Sequence, residues 1–124
     1  MKVKMAELTG AALDWAVAMC EGASAYLTDE IALGGEVVLQ WTEKFDIPLH
    51  HYTPSTDWSQ GGPIIEREKL DVCIHKPTHQ WCSATQSSVG RFARGYGPTP
   101  LIAAMRCYVA SNLGDEVDIP GELT

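Results

Sequence analysis

The segment Gly97-Pro98-Thr99-Pro100-Leu101-Ile102-Ala103-Ala104-Met105-Arg106-Cys107-Tyr108-Val109-Ala110-Ser111-Asn112-Leu113-Gly114 constrains the fold more than any other. Thr99 offers a side-chain oxygen as N-cap, Pro100 fits the first helical position because its missing N–H is no loss there, and Gly114 ends the element. The pattern predicts a helix over 100–113, with Leu101, Ala104, Met105, Tyr108 and Leu113 on one face and Ile102 and Val109 broadening it. So broad an apolar face needs another layer to cover it. A second helix is predicted over 9–21, where Leu13, Ala16, Val17 and Cys20 fall at i, i+3, i+4 and i+7, between Thr9 as N-cap and Gly22 as stop.

Between the helices the signals are shorter. After Gly34-Gly35, the run from Glu36 to Trp41 is β-branched and apolar and reads as a strand, whereas residues 23–34 fit a helix or a loop equally well. Residues 47–62 have the mixture of Pro, His, Ser, Thr, Asp and Gly expected of a long irregular loop. Pro63 is expected to open a short helix over 63–69, followed by a strand at 70–75 and a second loop over 76–97 anchored by Trp81 and Phe92. The tail from Asp115 to Pro120 alternates acidic and apolar residues, as a short edge strand or an ordered extension would, and the last residues are expected to fray. The expected architecture is α+β: one domain over residues 1–124, with a small, mainly antiparallel sheet packed by the N-terminal and C-terminal helices, long loops, and an acidic tail at 115–124.

Composition bounds the function. A chain of 124 residues with 45% apolar and 20% charged residues can bury a core without staples. No apolar run approaches the length needed to cross a bilayer, and Lys2 and Lys4 are not followed by a secretory apolar stretch, so a cytoplasmic protein is expected. Its four cysteines are then expected to stay reduced. A formal charge of −7 disfavours duplex nucleic acid, although Arg91, Arg94 and Arg106 leave room for a small anion. Nothing in the composition decides for or against a homo-oligomer.

Three stretches carry candidate chemistry. In Ser55-Thr56-Asp57-Trp58-Ser59-Gln60-Gly61-Gly62, Asp57 suits an Asx-type turn and Trp58 a stacking surface, and Gly61 and Gly62 would let backbone N–H groups reach an anion at a Pro63 helix start. The plainer account makes Trp58 a core residue and the glycines a turn. Glu66 and Arg67 follow, as ligand-positioning groups or simply as a solvated face. Arg91, Arg94 and the Gly95-Tyr96-Gly97 turn precede Thr99 and Pro100, placing guanidinium donors near a second helix start. Cys73-x-His75-x3-His79-x2-Cys82 holds four zinc-competent side chains, but the spacing fits no common finger or ribbon and Pro77 interrupts it, so no metal or other cofactor is assigned. The chain has neither G-x-S-x-G nor a phosphate-binding Walker loop, and no catalytic residue is assigned.

The run Tyr52-x-Pro54-Ser55-Thr56-Asp57-Trp58-x-Gln60-Gly61-Gly62-Pro63-Ile64-Ile65-Glu66-Arg67-Glu68, then Gly97-Pro98-Thr99-Pro100-Leu101-Ile102-Ala103-Ala104-Met105-Arg106 and Gly114-Asp115-Glu116-Val117, resembles the NinX-like proteins of tailed bacteriophages and prophages. Leu8 to Ala18 is similar to that family's opening helix, while residues 71–94 look like a variable insert. The family's function is unknown. The resemblance implies a soluble accessory protein made inside an infected bacterium, with no catalytic residue to carry over. Together these readings predict a non-enzymatic binder of a host factor or a small anionic, nucleotide-like ligand. Its site is expected at Ser55, Thr56, Asp57, Trp58, Gly61, Gly62, Glu66 and Arg67, with Arg94 and Thr99. The alternatives are a small hydrolase acting on a nucleotide-like compound and a purely structural protein.

Overall fold

A computed structural model describes residues 2–27, 37–41, 46–86, 92–120 and 123. Among the described residues three α-helices carry the fold: α1 (Gly10–Cys20), α2 (Trp58–Glu68) and α3 (Pro100–Leu113). The same residues form eight short strands: β1 (Lys2–Lys4), β2 (Ser24–Leu27), β3 (Val37–Gln40), β4 (Ile47–Pro48), β5 (Cys73–His75), β6 (Gln80–Gln86), β7 (Phe92–Gly97) and β8 (Glu116–Asp118). They pair antiparallel in three sheets, ordered β1-β8, β2-β3-β4 and β5-β6-β7. The α+β class is as expected, with the strands divided among three sheets.

α3 forms as its ends dictate. The Thr99 hydroxyl accepts from the Ile102 N–H at 3.1 Å, Pro100 stands in the first turn, and Gly114 leaves the helix at φ +88°. Leu101 and every residue from Ala103 to Ala110 are buried, so α3 is covered on nearly all sides rather than along one stripe. On one side lies the β5-β6-β7 sheet, and the approach is close because Gly95 has no side chain. A Cβ there would run into the Ala103 carbonyl oxygen and the Cys107 amide nitrogen. α1 packs on another side of α3 through Leu13, Ala16 and Val17, joined in the same core by Ile64, Leu70, Val117 and Ile119. A smaller core gathers Ala18, Ala23, Leu39 and Leu49 beneath β2-β3-β4.

Residues 76–97, expected as a loop, contain most of a sheet. The buried part of the face that meets α3 is Ser83, Ala93, Gly95 and Gly97, with only Trp81 and Thr85 as larger residues on the same side, too few to produce a run of bulky alternation. The expected strand at 70–75 shrinks to Cys73–His75, because Leu70 still closes α2: its N–H donates to the Ile65 carbonyl while Lys69 takes the left-handed conformation at φ 53°. The acidic tail forms β8, whose Asp118 and Glu116 face Lys2 and Lys4 across β1 while Val117 faces Val3. α1 starts after Thr9, whose side chain makes no capping bond, and stops at Gly22 with φ +94°. The Glu36–Trp41 strand appears as Val37–Gln40, and the undecided segment begins with β2; its residues 28–34 lie outside the described residues.

Candidate functional site

The segment from Tyr52 to Glu68 holds itself in shape. After a short 3-10 turn at Leu49–His51, the Thr53 carbonyl accepts from the N–H groups of Thr56 and Asp57, at 3.1 and 2.8 Å. Asp57 then caps α2: its Oδ1 accepts from the Ser59 N–H at 2.9 Å and the Ser59 hydroxyl at 2.7 Å, and its Oδ2 accepts from Gln60 Nε2 at 3.1 Å. Gln60 reaches back as well, accepting from the Thr53 N–H at 3.0 Å. The donors at Ser59 and then Gln60 hold the Asp57 carboxyl below its ordinary range, since they favour the charged form.

This start corrects the sequence reading in one respect. α2 begins at Trp58, and Pro63 lies inside the helix. Gly61 and Gly62 are therefore helical, and the Gly61 N–H is spent on the Asp57 carbonyl at 2.9 Å, so it is not offered to an anion. Gly61 is instead a contact residue: a Cβ would collide with the Pro54 carbonyl oxygen and lie 2.7 Å from Leu101 Cδ2. That contact brings the 52–68 segment against the first turn of α3, joining two of the stretches singled out in sequence. Pro63 deprives the Ser59 carbonyl of its helical donor, which is tolerable because both residues are exposed to water. Gly62 lacks the Cβ that would crowd the proline ring.

The loop is anchored to α1 by a buried carboxylate. Asp14 is 4% exposed, and its Oδ1 accepts from the Ser55 N–H at 2.9 Å. Burial raises its pKa, against the lowering effect of Ser55. The buried Ser55 hydroxyl lies beside the same carboxylate without a second bond of good geometry.

The proposed side chains divide sharply. Trp58 is 56% exposed on the first turn of α2, with its ring over Gly62. Thr56 and Glu66 are exposed, whereas Ser55 is buried. Arg67 makes a bidentate pair with Glu21, at 3.0 and 2.6 Å, and donates to the Tyr108 hydroxyl at 3.2 Å. Tyr108 in turn donates to Glu21 at 2.7 Å, closing a triangle among α2, the end of α1 and α3. Burial, then Glu21, pushes the Tyr108 hydroxyl up. Thr99 is occupied as the α3 cap.

Arg94 is not part of this group. It stacks over Phe92 at 5.0 Å and, with Phe92, Ala93, Ala110, Gly114 and Asp115, lines a cavity of about 380 Å³ at the C-terminal end of α3. Arg106, counted in sequence among the residues that leave room for a small anion, is buried: Nε donates to the Leu8 carbonyl at 3.0 Å and an Nη to the Tyr96 carbonyl at 2.7 Å. Arg91 lies outside the described residues.

The Cys/His stretch forms the β5-β6 hairpin. Cys73 pairs with Cys82 across the ladder, His75 hydrogen-bonds Thr78 Oγ1 at 2.8 Å and meets the Tyr96 ring edge-on, and His79 turns the chain at φ 56°. Among the described residues no group of three or more His, Cys, Asp or Glu side chains could hold a metal ion, and no helix is long and apolar enough to cross a membrane.

Sequence reasoning missed Asp14, Glu21 and Tyr108 as organisers of the segment. One signal for Asp14 was available: it is the only charge between Leu8 and Cys20. The Glu21 contact, between residues far apart in the chain, left no local trace. A family model described as "Bacteriophage P22, NinX" matches residues 4–112. No curated protein matches the chain.

Proposed function

The chain belongs to the NinX family of bacteriophage P22, and from that premise we propose a non-enzymatic accessory protein that acts in the cytoplasm of the infected bacterium by docking onto a host protein through the start of α2. The observation that carries this reading is Trp58: a large aromatic side chain, 56% exposed, on a segment already fixed by Asp57, Gln60 and the Asp14–Ser55 bond. An aromatic anchor that loses little freedom on binding is what concentrates energy in protein interfaces. Trp58, Gly62 and Glu66 succeed one another at four-residue spacing along the solvent side of α2, so the anchor is continued by small and acidic groups. The partner surface that fits is a pocket for an indole with a basic rim.

A small anion finds less here. The Asp57 carboxylate already occupies the helix end, and the Arg67 guanidinium is paired with Glu21. Asp57 is also a poor proton acceptor for a hydrolase, being held ionised by its donors.

The test compares tagged wild-type protein with Trp58→Ala in host lysate, identifies the protein whose retention differs, and measures binding with both purified. The affinity should fall about thirty-fold in the variant, the loss of a hot spot of about 2 kcal/mol, and binding should weaken as salt rises. Equal binding by Trp58→Ala would refute the reading. A melting temperature raised by nucleotides in the wild type alone would transfer the site to a small ligand.

A further inference from the structure

We propose that Cys73 and Cys82 form a peroxide-responsive modification site, closing to a reversible disulfide across the β5-β6 hairpin. The two residues are direct partners in the antiparallel ladder. The Asp71 N–H donates to the Ala84 carbonyl two positions further along, and because bonded and non-bonded pairs alternate, Cys73 and Cys82 occupy a hydrogen-bonded position. Cα atoms at such a position are about 5.5 Å apart, inside the range that a disulfide spans. Paired residues point to the same side of a sheet, so the two side chains leave the ladder together. Both are reduced in this structure.

Their surroundings divide the chemistry between them. Cys73 is exposed, and Cys82, beside it on β6, is 7% exposed, with its thiol pushed up chiefly by burial. Cys73 is therefore the sulfur that meets the oxidant. Its thiolate attacks one oxygen of hydrogen peroxide, the O–O bond breaks, hydroxide leaves and takes a proton, and a sulfenic acid remains. The Cys82 sulfur then attacks the Cys73 sulfur, the S–O bond breaks, and a second water departs. Two thiols are oxidised, one peroxide is reduced to two waters, and a dithiol reverses the change.

The other two cysteines do not compete. Cys20 is pushed up to about 12 and Cys107 to about 11, both by burial above all, and Cys107 donates to the Ala93 carbonyl in the core.

The test oxidises the reduced full-length chain with hydrogen peroxide and reads intact mass, free thiols and a tryptic digest. Lys76 precedes a proline and resists trypsin, so both cysteines stay in the fragment 70–91. That fragment should lose about 2 Da, the mass of two hydrogens. Free thiols should fall from four by half, and dithiothreitol should restore them. Cys73→Ser, at an exposed position, should abolish the mass loss. Fragment 70–91 gaining oxygen without losing hydrogens would overturn the proposal, as would a disulfide linking two chains or one using Cys20 or Cys107.

Discussion

Replacing Gly95 with alanine tests the packing on which the whole sheet-to-helix arrangement depends. Glycine-to-alanine changes at unstrained positions usually stabilise, by about 0.4–1 kcal/mol through the unfolded chain, and burying one more methyl group adds about 0.8 kcal/mol. At Gly95 both gains are overwhelmed. The new Cβ would overlap the Ala103 carbonyl oxygen and the Cys107 amide nitrogen and sit 3.0 Å from Cys107 Cα, all backbone atoms of α3 that no rotamer change can move aside. The helix must shift by roughly 1 Å, enough to forfeit a quarter to a half of each dispersion contact across the interface. Overpacking against rigid neighbours costs about 3 kcal/mol, a large share of the 5–15 kcal/mol typical of a domain. The expected result is a net loss of about 1–2 kcal/mol, read as a lower urea midpoint at unchanged slope, and a melting temperature about 5 °C lower. A variant within about 0.5 kcal/mol of wild type, the scatter of neutral substitutions, would mean that α3 does not lie on the β7 backbone.

Three further perturbations follow from the site. Asp57 is bound by its donors in the folded protein, so its folded pKa lies below the unfolded one. Its contribution is therefore present above the unfolded pKa, near 4, and is lost as pH falls through the lowered folded value. Melting temperatures measured from about pH 6 down to about pH 2 should fall less steeply in Asp57→Asn, and identical slopes would refute the cap. Pro63→Ala restores an N–H to the Ser59 carbonyl inside α2, and chemical denaturation should show a gain of about 1 kcal/mol, since removing an interior proline outweighs the freedom returned to the unfolded chain. Glu21→Gln should cost about 1 kcal/mol, a modest figure because the Arg67 side chain is 52% exposed, and the loss should shrink when Arg67 is also neutralised, as a double-mutant cycle would show.

The helices were legible where their ends were chemical. Thr99, Pro100 and Gly114 bounded α3, and Gly22 closed α1. The start of α2 was misplaced because two signals competed. Pro63 suggested a first helical residue, while Asp57 followed by Gln60 at the third position is a capping-box arrangement, and the structure follows the second. β6 and β7 were hidden for a different reason. A strand is recognised by bulky residues alternating with polar ones, and here the positions that touch α3 most closely are Gly95 and Gly97, with Ser83 and Ala93 beside them, so that Trp81 and Thr85 are the only larger residues on that side. At the candidate site, sequence located the segment and the exposed Trp58. The partners that fix it come from α1 and α3, and no local pattern names a contact between residues so far apart.

Asp14 and Arg106 show where such long-range information does leave a mark. Each is the only charge in a helix whose other residues are uncharged: α1 from Gly10 to Cys20, and α3 from Pro100 to Leu113. Each is buried, and each hydrogen-bonds to backbone groups of irregular or terminal segments. Asp14 takes the Ser55 N–H, and Arg106 serves the carbonyls of Leu8, before α1, and Tyr96, near the end of β7. Those backbone groups have to be satisfied, because an unpaired buried donor or acceptor costs about 1–3 kcal/mol. The chain has short strands and long connections, so ladders alone cannot reach them all. Burying a charge is itself expensive, and burial holds Asp14 above and Arg106 below their ordinary pKa ranges. The cost is tolerated because one long or well-placed side chain can immobilise a whole connection. Asp14 fixes Ser55 three residues before Trp58, so the buried carboxylate in α1 sets the position at which the exposed indole leaves the surface.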